Sequence, residues 1–379
     1  MSWKIPLADL DFGPEESAAV QNVLQSRWLT MGEVTQEFEA KFAQMNQVKH
    51  AFAVTNGTAA LHLACLAVDL RQGDEVIVPS LTFVATANAI RYTGATPVFA
   101  DIVSQYDLNI SPASIESLVN ERTKAIMVMH YGGYACDMPS IFSIAQRYHL
   151  KVIEDAAHAN GSELNGRKLG CLGDVGCYSF FSNKNMTTGE GGMIVTDNDE
   201  AAAKIRLMRS HGMTTLTWDR HRGHASGYDV VELGYNYRID EIRASLGLVQ
   251  LGKLYKNNER RRQLTQLYQS LCVELVPEVT VPFVDYRGIS AAHLLPILVP
   301  NGVDRVKITE YLKQQGIQTS NHYPPIHQFS IYNNKGNVAR LPITENAANR
   351  EVTLPLYPAM IGEDVVTVVK SIQEALRKI

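Results

Sequence analysis

The sequence predicts an α/β protein with a large domain, built on a mainly parallel sheet covered by helices, and a smaller C-terminal α+β domain. From about residue 51, short apolar and β-branched runs alternate with helical patterns. The predicted strands lie at residues 76–78, 97–99, 125–128 and 152–153, and the predicted helices at 58–68, 138–149 and 200–210. Near-continuous apolar strands separated by helices indicate a largely parallel sheet that is buried on both faces. Ligands of such sheets collect at the carboxyl ends of the strands.

The two ends of the chain differ from this alternating region. Residues 1–50 have mostly helical patterns. An apolar stripe at helical spacing predicts a helix over residues 235–254 that continues as a bridge between domains. After Pro277, the predicted elements are a strand at 293–299 and helices at 305–315 and 363–379. We therefore expect a large domain over residues 1–250 and a small one over residues 251–379.

Composition excludes several classes of protein. The chain has 379 residues, of which 45% are hydrophobic and 20% charged, with a formal net charge of −4. Because acidic and basic residues are interspersed, we expect neither a nucleic-acid partner nor a membrane partner. The 5 cysteines lack Cys-x-x-Cys spacing, which favours free thiols in a reducing compartment. No leader pattern opens the chain and no apolar run approaches about 18 residues, so we expect a cytoplasmic protein.

One stretch, residues 176–197, places a single lysine in a polar loop between two apolar runs. Lys184 has Gly189, Gly191 and Gly192 close by in the sequence. Burying an ammonium group costs free energy unless the group is neutralised or paired. A Schiff-base nucleophile is one explanation, because burial lowers the pKa of the amine. A surface lysine on a hairpin loop fits this stretch equally well.

Three further segments follow predicted strands. Gly57 and Thr58 open a helix, where backbone N–H groups, a hydroxyl and the positive end of the helix dipole bind phosphate, although a plain helix cap has the same pattern. Phe83 lies just beyond a strand and either stacks on a flat heteroaromatic ring or belongs to the core. Asp155 ends a strand, where its carboxylate either pairs with a ring nitrogen or caps the next helix.

Taken together, these residues meet the requirements of pyridoxal 5′-phosphate (PLP). Gly57 and Thr58 would anchor the phosphate and Phe83 would stack on the ring. Asp155 would keep the ring nitrogen protonated, and Lys184 would form the Schiff base. Each signal is weak alone, but all four lie at one edge of one predicted sheet. The sequence therefore predicts a PLP site.

Longer motifs identify a family. They are WLTMGEVTQEFEAKF at 28–42, TNGTAALHLA at 55–64, PSLTFVATANAI at 79–90, EDAAHA at 154–159, YSFFSNKNMTTGEGGMIVT at 178–196, GYNYRIDEIRASLGLVQL at 234–251, HYPPIH at 322–327 and LPLYP at 354–358. In these segments the chain resembles the fold-type I PLP-dependent sugar aminotransferases of the DegT/DnrJ/StrS type. The resemblance implies transfer of an amino group from an amino acid, with glutamate as the expected donor, to a nucleotide-linked keto-sugar in amino-sugar biosynthesis.

The resemblance also implies roles for single residues. Lys184 corresponds to the Schiff-base lysine and Asp155 to the partner of the ring nitrogen. His158 is expected near the cofactor's 3-hydroxyl, and Phe83 against its ring. Some relatives carry histidine instead of the lysine and dehydrate their substrate, so Lys184 favours amino transfer. A PLP-dependent sugar dehydratase or lyase and a catalytically silent regulatory protein remain the alternatives.

The expected phosphate site involves two subunits. The resemblance implies that Gly57, Thr58 and Ser179 hold the phosphate and that Asn236 reaches it from the neighbouring subunit. We therefore expect a homodimer whose active sites are built from both chains.

The expected substrate contacts lie in two loops. The resemblance places His322, Tyr323 and His327 along the sugar pocket, where neutral imidazoles and a phenol suit sugar hydroxyls. The spacing of the two histidines would also suit a metal, but no third ligand is in view and we expect none. A segment rich in His, Arg and Gly offers Arg220 or Arg222 to a diphosphate, although a solvated loop would have the same composition.

Overall fold

The computed structural model describes residues 3–215, 227–333 and 339–378. In these ranges the helices are α1 Pro14–Ser26, α2 Glu33–Asn46, α3 Gly57–Ala67, α4 Val84–Tyr92, α5 Pro112–Leu118, α6 Met138–Tyr148, α7 Asp199–Met208, α8 Glu241–Leu275, α9 Arg305–Gln314, α10 Pro342–Arg350 and α11 Gly362–Lys378. The strands are β1 His50–Val54, β2 Glu75–Pro79, β3 Thr96–Ala100, β4 Thr123–Met129, β5 Lys151–Asp155, β6 Glu163–Leu164, β7 Arg167–Lys168, β8 Val175–Ser179, β9 Gly192–Thr196, β10 Leu295–Leu298 and β11 Glu351–Leu354.

A seven-stranded sheet forms the centre of the larger part of the chain. Its strand order is β1-β9-β8-β5-β4-β2-β3. Strands β3, β2, β4, β5 and β8 pair in parallel, whereas β9 is antiparallel to both of its neighbours. The predicted α/β fold with a mainly parallel sheet is therefore confirmed.

Helices cover both faces of this sheet. Along β2, Val76 and Val78 pack in a core with residues of α3 and α4, whereas Ile77 packs on the other face with residues of α6. All three side chains are fully buried. Because successive side chains of a strand point to opposite faces, a sheet covered twice needs apolar residues at every position. The apolar runs in the sequence have this origin.

The C-terminal part of the chain has its own apolar core. Strands β10 and β11 form an antiparallel pair, and their buried side chains pack against α9, α11 and the second half of α8. Helix α8 crosses residue 250 without a break, with Leu254 in a core of the large sheet and Tyr268 in the C-terminal core. This helix connects the two cores, and the division into domains at residue 250 stays a prediction.

The predicted start of the bridging helix was wrong. Helix α8 begins at Glu241, and the side chain of Asp240 caps it by accepting a hydrogen bond from the N–H of Arg243. The preceding residues run beside α7, because the N–H groups of Tyr235 and Tyr237 donate to carbonyl groups at the end of that helix. These long-range bonds hold residues 235–239 out of the helix.

In the described part of the chain, no helix combines the length and the apolar character that a membrane span requires.

Candidate active site

A cavity of about 760 Å³ lies at the carboxyl ends of β5 and β8, beside the first turn of α3. Nine of the residues that the sequence predicts for the site line it. They are Gly57, Thr58, Phe83, Asp155, His158, Ser179, Lys184, His322 and Tyr323. The fold therefore brings together residues from the ends of several strands, from the loop between β8 and β9, and from the C-terminal part of the chain.

The first turn of α3 forms an anion cradle against β8. Asn56 caps the helix by accepting a hydrogen bond of 2.8 Å from the N–H of Ala59. The N–H groups of Gly57 and Thr58 belong to the first turn, where the helix itself offers no acceptor. A Cβ atom on Gly57 would lie only 3.0 Å from Cβ of Ser179, so the close approach of helix and strand favours glycine. The capped helix end and the phosphate site are thus compatible.

Asp155 lies on the floor of the cavity at the end of β5. It is 4% exposed, and its two oxygens accept hydrogen bonds from the hydroxyl of Thr86, at 2.8 Å, and from the N–H of Ala157, at 3.1 Å. Burial raises the pKa of the Asp155 carboxyl, and the charge of Lys184 opposes that rise. The residues that follow form turns, so Asp155 does not cap a helix.

Lys184 reaches the same cavity from the loop between β8 and β9. Burial lowers the pKa of its amine to about 8, against the opposing attraction of Asp155. The next residue, Asn185, anchors the loop, because its Nδ2 donates to Oδ1 of Asn258 and to the carbonyl of Ala291, both at 2.7 Å. The lysine is therefore held by a fixed loop with a large share of neutral amine near pH 8, as a nucleophile requires.

Phe83 and Tyr323 flank the cavity opening. Phe83 is 57% exposed, which rules out the core position that the sequence left open. Its ring centroid lies 6.0 Å from that of Tyr323. An exposed aromatic face at the mouth of a cavity is available for stacking on a planar ligand.

His158 links Tyr323 to the backbone below it. Its Nδ1 accepts a hydrogen bond of 3.3 Å from the N–H of Gly132, and its Nε2 lies 2.8 Å from the hydroxyl of Tyr323. Burial and the charge of Lys184 hold the pKa of His158 well below its usual range, so the ring is neutral. Since Nδ1 accepts, the single proton is on Nε2 and donates to the Tyr323 oxygen. The hydroxyl proton of Tyr323 is then free to donate to a bound ligand.

Two of the described residues that the sequence predicts for the site do not line the cavity of their own chain. His327 is 2% exposed, with its ring nitrogens 2.7 Å from Oγ of Ser80 and 3.2 Å from Oε1 of Glu345. The expectation that His327 lines the pocket is therefore wrong, because the turn at 326–328 directs the ring toward α10. Asn236 is exposed outside the cavity of its own chain, and its contact from a neighbouring subunit stays a prediction. Arg220 and Arg222 lie outside the described residues.

Sequence reasoning missed one residue behind the cavity lining and two within it. Thr86 orients Asp155, and its position three residues after Phe83 on α4 was the available signal. Tyr237 also lines the cavity, where its hydroxyl lies 3.0 Å from Nδ1 of His62. Glu190, within the GEGG motif, is an exposed carboxylate in the lining. Tyr237 and Glu190 show no local pattern that marks them as functional.

These features fit PLP. The first turn of α3 with Ser179 provides a cradle for a phosphate, and the buried Asp155 carboxylate suits a protonated ring nitrogen. Lys184 supplies an amine of lowered pKa. Each group that the cofactor needs is therefore present in one cavity.

The fold and this cavity define the class of fold-type I PLP-dependent transferases. A family model described as the DegT/DnrJ/EryC1/StrS aminotransferase family matches residues 11–373. The chain belongs to this family of PLP-dependent aminotransferases, as its motifs predicted.

The chain is similar over its whole length to several known proteins. The spore coat polysaccharide biosynthesis protein SpsC of Bacillus subtilis is 40% identical over 384 residues, which cover 100% of this chain and 97% of SpsC. The structure of Helicobacter pylori PseC, an aminotransferase involved in the biosynthesis of pseudoaminic acid, is 31% identical with a TM-score of 0.91, and both chains are covered at 100%. DesI, solved in the presence of its TDP-sugar product, is 30% identical with a TM-score of 0.88, covering 100% of this chain and 94% of DesI.

Proposed function

We propose that this aminotransferase moves an amino group from glutamate to a nucleotide-linked keto-sugar in amino-sugar biosynthesis. The observation that carries the proposal is the chemistry of the cavity wall. In the described ranges, Lys184 is the only cation that lines the cavity, and its neighbours include His322 and Tyr323. Transaminases that exchange two amino acids bind both α-carboxylates, which calls for a fixed arginine in the wall. Neutral imidazoles and phenols suit sugar hydroxyls instead.

Two arginines of the C-terminal part, Arg305 and Arg350, have partners outside the cavity. Arg350 donates to the carbonyl of Val299, and Arg305 to the carbonyl of Glu351. Arg287 lines a separate surface groove. The TDP-sugar product of DesI supports the same substrate class, because DesI is similar to this chain in fold over the whole chain.

Lys184, Asp155 and Tyr323 have different roles in the proposed reaction. Bound PLP supplies an electron sink for the carbanion that forms when the donor loses its Cα proton. Nζ of Lys184 is the base that takes this proton and returns it to the other side of the reacting bond. The Asp155 carboxylate, fixed by Thr86, holds a proton on the ring nitrogen. The Tyr323 hydroxyl, which accepts from His158, donates to an oxygen of the ligand.

We further propose a homodimer with shared active sites. Asn236 lies between Tyr235 and Tyr237 and is exposed, whereas Tyr237 lines the cavity of its own chain. The extended backbone there turns alternate side chains in opposite directions, so Asn236 faces away from its own site. Leu233, 78% exposed, is an apolar side chain beside it that a second subunit would cover.

A substrate screen tests the proposed reaction. The holoenzyme is incubated with glutamate and a panel of keto-sugar nucleotides, and products are read by mass. We expect an aminated sugar nucleotide together with 2-oxoglutarate, and no turnover by Lys184→Ala. A dehydrated sugar would indicate the dehydratase alternative. Amination of plain keto acids at the same rate as any keto-sugar nucleotide would contradict the proposal.

A further inference from the structure

His322 is connected to a buried carboxyl group behind the cavity wall. Its Nδ1 lies 2.8 Å from Oγ1 of Thr353, and the Thr353 hydroxyl is in turn hydrogen bonded to Oε1 of Glu351. Glu351 and Thr353 are each 1% exposed. They stand two residues apart on β11, so their side chains share the face that packs on the loop carrying His322. A series of hydrogen bonds therefore leads from the buried Glu351 through Thr353 to His322 at the cavity.

The other oxygen of Glu351 holds the backbone of the same loop. Oε2 accepts hydrogen bonds of 2.8 Å from the N–H of His322 and from Nδ2 of Asn321. Ser320, just before them, pairs with the backbone of Thr353 in both directions. Two N–H donors thus occupy Oε2 of Glu351. When the carboxyl group is protonated, its proton is therefore on Oε1, which faces Thr353.

We propose that Glu351 controls, through the hydroxyl of Thr353, which nitrogen of the His322 ring carries the proton. When Glu351 is ionised, the Thr353 hydroxyl donates to it and its oxygen accepts from Nδ1–H of His322, which leaves Nε2 as an acceptor. When Glu351 is protonated, it donates to Thr353, the hydroxyl donates to Nδ1, and the proton of His322 is on Nε2. One proton on Glu351 therefore converts His322 from an acceptor to a donor.

Nε2 of His322 is the atom of this series of hydrogen bonds that a bound ligand would contact. His322 lines the cavity, and in the described part of the chain Nε2 has no hydrogen-bond partner. Burial and the charge of Lys184 lower the pKa of His322 to about 4, so the ring stays neutral while its proton changes place. His158 and His293, which also lie near Lys184, are held neutral by burial in the same way.

The surroundings of Glu351 place its titration near neutral pH. Burial raises the pKa of its carboxyl to about 8, against the hydrogen bonds that it accepts and the charge of Arg305 on α9. Tyr131 and Tyr323 also face it, and their own pKa values are raised, so both remain neutral phenols. Below about pH 8 Glu351 is protonated and His322 donates; above that pH His322 accepts.

The consequence for the substrate rests on the proposed function. A ketone or ether oxygen of a sugar has only lone pairs to offer, so it needs the donor form of His322. We expect the apparent affinity for the keto-sugar to fall by roughly fivefold as the pH rises through the pKa of Glu351, because a neutral hydrogen bond contributes about 1 kcal/mol. Thr353 and Glu351 are positioning residues in this scheme.

Nitrogen NMR of the holoenzyme labelled at histidine tests the proposal without any substrate. Ring ¹⁵N signals distinguish the two neutral forms, and the signals of His322 are assigned by their loss in His322→Gln. We expect the protonated nitrogen to change from Nε2 to Nδ1 between about pH 6.5 and about pH 9.5, around a midpoint near 8. A wild-type ring that keeps one form throughout would overturn the proposal.

Variants distinguish the titration of Glu351 from that of other groups, among them Lys184, whose free amine has a pKa of about 8 in the apoenzyme. In Glu351→Gln the amide oxygen accepts the two N–H groups and the amide nitrogen donates to Thr353, so His322 should keep the proton on Nε2 at every pH. Thr353→Ser should behave as wild type and Thr353→Val should lose the transition. The control Glu345→Gln removes the carboxyl beside His327 and should leave His322 unchanged. A transition that persists in Glu351→Gln would show that a group other than Glu351 causes it and would refute the proposal.

The two proposals fail separately. If the NMR transition is seen but no keto-sugar nucleotide is aminated, the control of His322 by Glu351 is supported and the proposed substrate is wrong. If keto-sugar nucleotides are aminated but His322 shows no transition, the proposed function is supported and the control of His322 by Glu351 is wrong.

Discussion

Thr86 and Asp155 are joined by a hydrogen bond of 2.8 Å that connects helix α4 to the end of strand β5. Thr86 is fully buried, and the hydroxyl of Thr82 lies 2.8 Å from its own. Thr82 can donate to Thr86 while Thr86 donates to the carboxylate. The carboxylate that faces the cavity is thereby fixed in one orientation by a residue outside the cavity lining.

Removing this hydroxyl should weaken catalysis without unfolding the protein. We expect Thr86→Val to lower kcat/KM by roughly tenfold to a hundredfold, because a hydrogen bond to a charged group contributes about 1.5–3 kcal/mol. Thr86→Ser keeps the hydroxyl and should stay close to wild type. Steady-state kinetics with equal cofactor loading measure the effect, and a Thr86→Val enzyme of normal activity would show that Asp155 needs no support.

Asp155→Asn should retain PLP but lose most activity. A neutral amide no longer favours a protonated ring nitrogen, and each unit of pKa that the nitrogen loses lowers its protonated fraction about tenfold at pH values above the pKa. We therefore expect the absorbance to show full PLP content while turnover falls by about tenfold for each unit of pKa that the nitrogen loses. Near-normal turnover at full loading would remove Asp155 from the catalytic residues.

The covalent capture of PLP by the apoenzyme should depend on the pKa of Lys184. Because burial lowers this pKa to about 8, the reactive neutral amine should increase about tenfold per pH unit below 8 and level off above it. Stopped-flow absorbance gives the rate, and borohydride reduction followed by peptide mapping gives the site. A pyridoxyl group on another lysine, or a rate that still rises toward the ordinary lysine pKa, would contradict the assignment.

Shared sites predict recovery of activity in mixed dimers. Lys184→Ala lacks the amine, and Asn236→Ala is expected to bind the phosphate of its partner weakly. In a mixed dimer one site combines the native Lys184 of one chain with the native Asn236 of the other. Dimers purified with two different tags should regain up to about half of the wild-type activity per dimer, as one of two sites is restored. No recovery in verified mixed dimers would count against shared sites.

Arg222→Ala should affect only one half of the reaction. A guanidinium group suits a diphosphate, so its loss should raise the KM for the sugar nucleotide about tenfold, at about 1.4 kcal/mol, and leave the half-reaction with glutamate nearly unchanged. Arg220→Ala is the matched variant in the same segment. Equal losses in both half-reactions would mean that Arg222 does not serve the nucleotide.

Local patterns in the sequence determine much of this protein. Apolar runs of strand length follow from burial on both faces of a sheet, and they correctly predict β2, β4 and β5. Asp155 and Gly57 could be found because each stands directly beside such a strand end. Lys184 could be found because a lone lysine in a Gly-rich, apolar stretch is itself a local signal.

Only the tertiary structure decides which side chains meet across the chain. Thr86 reaches Asp155, and His158 reaches Tyr323, through contacts between segments that share no sequence pattern. His322 and His327 lie in one short motif, yet one lines the cavity and the other turns toward Glu345. The start of α8 likewise depends on backbone bonds to α7. Periodicity reports whether a residue is buried, but a hydrogen-bond partner depends on directions in space that only packing establishes.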